Sequence, residues 1–128
     1  MKVKCVRSEL ENGKRLNGWL GLNEIYHVLA IDISPEFENY YRIDSGRNGV
    51  ALFEVEFFEI ISNKLPSTWI AHPFGDRGLA IGPLRWSEDG YMEGDVYKQG
   101  FLERYYDRDP EAVKQFNEDV AAIIADDP

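Results

Sequence analysis

The chain has 128 residues, 44% of them hydrophobic, one cysteine and a formal net charge of −9. That apolar content excludes a disordered chain, and the length suits one domain with a core that needs neither disulfides nor metal. Cys5 has no second cysteine to pair with, and no run approaches the roughly 18 apolar residues of a membrane span. Residues 1–20, interrupted by Gly13 and Gly18, lack the apolar core of a signal peptide, so a soluble cytoplasmic protein is expected.

The charge is unevenly spread. Residues 1–86 hold 10 Lys/Arg against 11 Asp/Glu, whereas residues 87–128 hold 4 against 12. So acidic a segment repels nucleic acid and anionic lipid and draws basic partners inward. Neither nucleic acid nor a membrane is therefore expected as a partner.

In chain order, KVKCV at 2–6 alternates polar and apolar residues as a half-buried strand does. A polar, glycine-containing connection over 8–23 leads into 24–33, rich in β-branched and aromatic residues, which reads as one central strand. Ser34-Pro35 ends it, since proline cannot donate to a ladder. Residues 39–44 form the next strand and Asn48-Gly49 a tight turn. In ALFEVEFFEII at 51–61, Phe53, Val55 and Phe57 share one face until the pair Phe57-Phe58 breaks the phase. A bulge or 3₁₀ turn over 54–57 is expected there, leaving Glu54, Glu56 and Glu59 in water at the corner. Short strands follow at 68–71 and 79–81, separated by a turn-rich segment over 72–78. Residues 82–100, with Gly82-Pro83, Asp89-Gly90, Gly94 and Gly100, read as loop. A short helix over 101–106 turns Phe101, Leu102 and Tyr105 inward. Asp109-Pro110-Glu111 then caps a helix over 110–125, whose Val113, Phe116, Val120 and Ile124 form an apolar stripe. Residues 126–128 are expected to fray.

Motifs for chemistry are sparse. His27 and His72 form no metal-ligand pair, and residues 87–95 lack the spacing of a calcium loop, so neither metal nor cofactor is expected. No serine sits in a nucleophile elbow, and the glycine clusters at 46–49 and 75–78 lack phosphate-loop spacing. Acid pairs such as Asp44 with Glu54 leave open a small hydrolase or transferase that uses carboxylates with His27 or His72. A self-assembling structural module is a third possibility. The leading reading is a non-catalytic binding surface in which exposed aromatics anchor and carboxylates select a basic protein. Its candidate residues are Trp86, Glu88, Asp89, Tyr91, Glu93, Asp95, Glu103, Tyr106 and Asp107.

The run 21–61, with its long first connection, a hairpin turning at 45–49 and a corner before the last strand, resembles an SH3-like barrel. The expected fold is α+β and β-rich, a small SH3-like antiparallel barrel or curled sheet followed by a C-terminal helix. It forms a single domain, 1–128, with 1–86 the β-rich part and 87–128 an acidic loop and helical part. Tyr26, Val28 and Leu29, then Tyr41, Arg42 and Ile43, Leu52 and Phe53 with Phe58 and Glu59, and LPSTW at 65–69 resemble small bacterial immunity proteins. These are the partners of contact-dependent and other polymorphic toxins. The resemblance implies a cytoplasmic toxin inhibitor, with a basic nuclease-type toxin domain as its partner, and it implies no catalytic residue.

Overall fold

The structure is a computed structural model that describes residues 1–36, 38–74 and 78–128. Its strands are β1 (Lys2–Cys5), β2 (Ile25–His27), β3 (Ala30–Ile33), β4 (Tyr40–Asp44), β5 (Val50–Glu54), β6 (Phe58–Ser62), β7 (Trp69–Phe74), β8 (Gly78–Pro83), β9 (Tyr91–Glu93) and β10 (Val96–Lys98). Single 3₁₀ turns lie at Val55–Phe57 and Leu84–Ser87, and the chain closes with helices α1 (Phe101–Tyr106) and α2 (Pro110–Asp126). The strands form three antiparallel sheets, ordered β2-β1-β6, β5-β4-β3-β8-β7 and β10-β9. None of them closes into a barrel.

The segment expected as one central strand is two strands that serve two sheets. Val28 donates its amide to the Met1 carbonyl (3.0 Å), beside β1, and the next amide, Leu29, bonds the Arg42 carbonyl on β4 (2.9 Å). Both side chains are wholly buried but in different cores. The alternation of a regular strand would be satisfied by opposite faces of one sheet. Here it places consecutive residues in two separate interiors, and the ladder breaks between them.

The first core gathers Val3, Cys5, Leu10, Leu16, Val28, Tyr41, Ile43, Phe53 and Phe57, with the rings of Tyr41 and Phe58 edge to face at 5.6 Å. The phase break at Phe57-Phe58 is resolved by the 3₁₀ turn at Val55–Phe57, which buries both rings. Glu56 and Glu59 are exposed, but Glu54 is not in open water as expected. It is largely covered and accepts an ion pair from Lys14 Nζ at 2.9 Å. Burial also raises the Cys5 thiol above its ordinary value, opposed by a backbone hydrogen bond from Arg7.

Strand β7 runs on through His72 and Pro73, both expected in a turn. It is an edge strand, so a residue without an N–H costs little there. The remainder of that expected turn, 75–77, lies outside the described residues. The second core lies against the other face of the five-stranded sheet, on Ala30 and Val50, and is built around three rings. Phe116 of α2 stacks on Trp86 (centroids 4.4 Å, 6° between planes) and on Tyr105 (3.7 Å, 15°).

Helix α2 begins as its sequence dictates, with the Asp109 carboxylate accepting the Ala112 amide at 3.0 Å and Pro110 at the first turn. Its buried stripe is Ala112, Phe116 and Ile123 rather than one ending at Ile124, which is 39% exposed. Nor does the end fray. Asp126 accepts the Ser67 amide (2.7 Å) and hydroxyl (2.8 Å), and Asp127 pairs with the Met1 ammonium (3.0 Å). His27 Nε2 bonds the Asp127 carbonyl (2.7 Å), and Lys2 Nζ donates to the Pro128 carbonyl (2.9 Å). Hydrogen bonds from Ser67 hold the Asp126 carboxyl below its ordinary 3.8, and bonds from Ser62 and the Met1 ammonium do the same for Asp127. A depressed folded value means that the stabilisation is complete above about pH 4 and disappears as pH falls through the folded pKa.

Two outcomes test this packing. Phe116→Ala, which empties the middle of the three-ring stack, is expected to cost about 3–5 kcal/mol in denaturant unfolding. Asp126→Ala is expected to lower Tm at pH 7. Its difference from the parent should shrink as pH drops below 4, because protonation removes the same interaction from the parent; a difference unchanged in acid would contradict the assignment.

Candidate interaction surface

The acidic segment is organised by its glycines. After the 3₁₀ turn at Leu84–Ser87 the chain rises into the β9–β10 hairpin and returns at Gly100, where Phe101 donates its amide to the Glu88 carbonyl at 3.2 Å. A Cβ at Gly100 would overlap that carbonyl oxygen, and one at Gly90 would overlap the Tyr97 hydroxyl. Gly100, closed in by backbone, therefore needs glycine for close approach, whereas at Gly90 the side chains of Tyr97 and Glu103 would have to move. At the tip, Gly94 takes φ 62° at the first of two connecting residues, where a two-residue hairpin turn favours glycine. The register pairs Glu93 with Val96, Met92 with Tyr97 and Tyr91 with Lys98. Tyr91, Glu93, Val96 and Lys98 thus share one face of the ribbon, and Met92 and Tyr97 the other.

Side chains of α1 hold this ribbon. Glu103 accepts the Tyr97 hydroxyl (2.6 Å) and the Gly100 amide (3.2 Å), so one carboxylate both caps the helix and pins the hairpin. That bond raises the Tyr97 hydroxyl above its ordinary pKa. Gln99 Nε2 donates to Asp107, and Arg104 reaches Glu88 at 3.3 Å. Helix α1 is in turn fixed to the five-stranded sheet. The Tyr106 hydroxyl accepts from Arg42 Nη1 (2.7 Å) and donates to the Val50 carbonyl (3.0 Å).

The expected binding residues divide accordingly. Tyr91, Glu93 and Asp95 lie on the ribbon, Glu88 and Asp89 at its neck, Glu103 on the adjoining helix and Asp107 at that helix's C-cap, all exposed. Tyr106 presents about half its ring while its hydroxyl is engaged on the sheet. Trp86 does not belong with them. It is 7% exposed, stacked on Phe116, with Nε1 donating to Asp119 at 2.9 Å, and it is a core residue rather than a surface anchor. Met92, Val96 and Tyr97, exposed on the same ribbon, are not among the residues expected from the sequence. The alternation of YME and VYK about Gly94-Asp95 is a hairpin signature, short enough to be masked by the surrounding glycines.

Of the groups considered for catalysis, Asp44, Glu54 and His27 are dispersed. Asp44 and Glu54 pair with Val50 and Tyr40 at opposite ends of the β4–β5 ladder, roughly 14 Å apart at about 3.4 Å per residue, and do not converge. His27 is bonded to the Asp127 carbonyl. His72 lies in one row with Asp32 across the sheet, Ala80 standing between them. Burial raises the Asp32 carboxyl above its ordinary value, opposed by Arg42 and by His72. Beside the ribbon's neck, Pro83, Arg85, Glu88 and Asp119 line a groove of about 570 Å³. Asp119 there is raised by burial, against the bond from Trp86 and the charge of Arg85. Among the described residues no three His, Cys, Asp or Glu side chains group as a metal site, and no helix is long and apolar enough to cross a membrane.

Comparison with protein-family models, with curated proteins and with solved structures finds no match. The surface is thus read from its own geometry. Gly100→Ala is expected to destabilise the fold by about 1–3 kcal/mol through overpacking against the Glu88 carbonyl. In heteronuclear NMR spectra it should shift the amides of residues 88–100, whereas Asp95→Asn at the tip should leave stability within about 0.5 kcal/mol.

Proposed function

We propose that this chain is a non-catalytic binding protein, an immunity protein that neutralises a cationic toxin domain of nuclease type, acting in the cytoplasm as one domain. The observation that carries this reading is the grouping of Glu88, Asp89, Glu93, Asp95, Glu103 and Asp107 around an exposed ribbon that also presents Tyr91, Met92 and Val96. Aromatic and apolar side chains give contact area, and carboxylates attract a basic partner while repelling competing polyanions. The resemblance of residues 26–29, 41–43, 52–59 and 65–69 to immunity proteins supports the same conclusion.

The SH3-like reading of residues 21–61 belongs with this proposal. It is supported by the long connection after β1, by the division of the second long strand between two sheets at Val28-Leu29, and by the 3₁₀ turn ahead of β6. On this reading the β7–β8 hairpin extends the sheet at the free edge of β3.

Electrostatic steering makes a measurable demand. Stopped-flow mixing of the chain with a purified basic nuclease-type toxin domain that it protects against should give an association rate that falls about tenfold or more between low and physiological salt. The complex should suppress the toxin's activity at equimolar ratio. An association rate indifferent to salt, or a tight complex that leaves activity intact, would overturn the proposal.

A further inference from the structure

We propose that the β9–β10 ribbon is an insertion arm that enters a cationic cleft of the protein partner and occupies the place of that partner's anionic ligand. The inference rests on the binding reading above and adds how the partner is engaged.

Every residue from 91 to 99 is exposed, and Tyr91, Met92, Val96 and Tyr97 keep 52–60% of their surface. Those four lie on both faces of the ribbon, Met92 and Tyr97 on one, Tyr91 and Val96 on the other. A two-stranded ribbon with apolar residues on both sides is marginal in water by itself, and exposed apolar surface of this kind marks an interaction site. A flat partner covers one face only. Covering both requires a concave partner, with walls on either side of the ribbon.

Charge then gives the chemistry of the cleft. Glu93 and Asp95 stand at the tip, and Glu88 and Asp89 at the neck. The one cation on the ribbon, Lys98, is at the end away from the tip, paired in register with Tyr91. A cleft that accepts this tip at its floor must be basic, and a deep basic cleft in a protein is a site for anionic groups. A second copy of this chain fits poorly as occupant, because it would bring the tip carboxylates against an equally acidic neck. Anchoring favours insertion over adaptation. Tyr97 is tied to Glu103, Gln99 to Asp107 and the return strand to Glu88 through Phe101, so the arm is ordered before binding and loses little freedom on entering the cleft.

The test uses the full chain, with two double variants on exposed positions and therefore without consequence for folding, as circular dichroism and thermal melting will verify. Met92→Ser with Val96→Ser removes one apolar group from each face, and Glu93→Gln with Asp95→Asn removes the tip charge. Immobilised parent chain is used at low salt to capture a basic protein, which is purified and titrated against all three forms by calorimetry, with heparin as a polyanionic competitor. Each variant is expected to weaken binding at least tenfold, and heparin to displace the parent competitively. A captured partner that binds both variants within twofold of the parent would overturn the arm and leave the binding reading standing. Capture of no basic protein would overturn both. A parent dimer in sedimentation that the apolar variant converts to monomer would show that a second copy covers the ribbon, and would also overturn the arm.

Discussion

The architecture depends on two neighbouring residues, Val28 and Leu29, each fully buried and each in a different core. An extended chain can satisfy both only by crossing from one sheet to another at that point, and the two successive amides do so by bonding first Met1 and then Arg42. The β3–β4–β5 ladder that results has an interior on either side. Tyr41, Ile43 and Phe53 turn into one core, while Ala30 and Val50 face the other. Burial on both faces specifies register strongly, since a slip by one residue would exchange the two sets of side chains. The sheet therefore serves as a fixed reference for everything attached to it.

What is attached is the acidic third of the chain. The stack of Trp86, Phe116 and Tyr105 joins the 3₁₀ turn, α1 and α2 into one layer, and Tyr106 ties that layer to Arg42 and Val50. The Trp86 indole is satisfied by Asp119, whose carboxylate is paired with Arg85 at 3.2 Å, as buried polar groups require. A rigid base of this kind allows a short hairpin to stand away from the body of the protein without collapsing onto it.

Helix α2 is tied down at both ends by different means. Its start is a local device, one aspartate accepting one amide. Its end is a tertiary device in which Asp126 and Asp127 bridge to the loop after β6 and to the beginning of β1. Through these contacts the first strand, the second strand and the last helix are coupled. In the last turns of this helix Ile123 is buried and Ile124 is not.

Local signals in the sequence determined a good deal. The aspartate-proline start of α2, the short helix with Phe101 and Tyr105 inward, the 3₁₀ turn at the Phe57-Phe58 phase change and the hairpin after Asp44 all follow from capping, periodicity and glycine conformation, which act within a few residues. The concentration of acids after residue 87 was equally plain. Tertiary structure alone decided what depended on distant partners: the splitting of 24–33 between two sheets, the covering of Glu54 by Lys14, the anchoring of residues 126 and 127, and the removal of Trp86 from the surface into a stack with Phe116. The physical reason is the same in each case. Burial is a property of what the rest of the chain brings alongside, and a ring or a carboxylate carries no mark in sequence of whether that company will arrive.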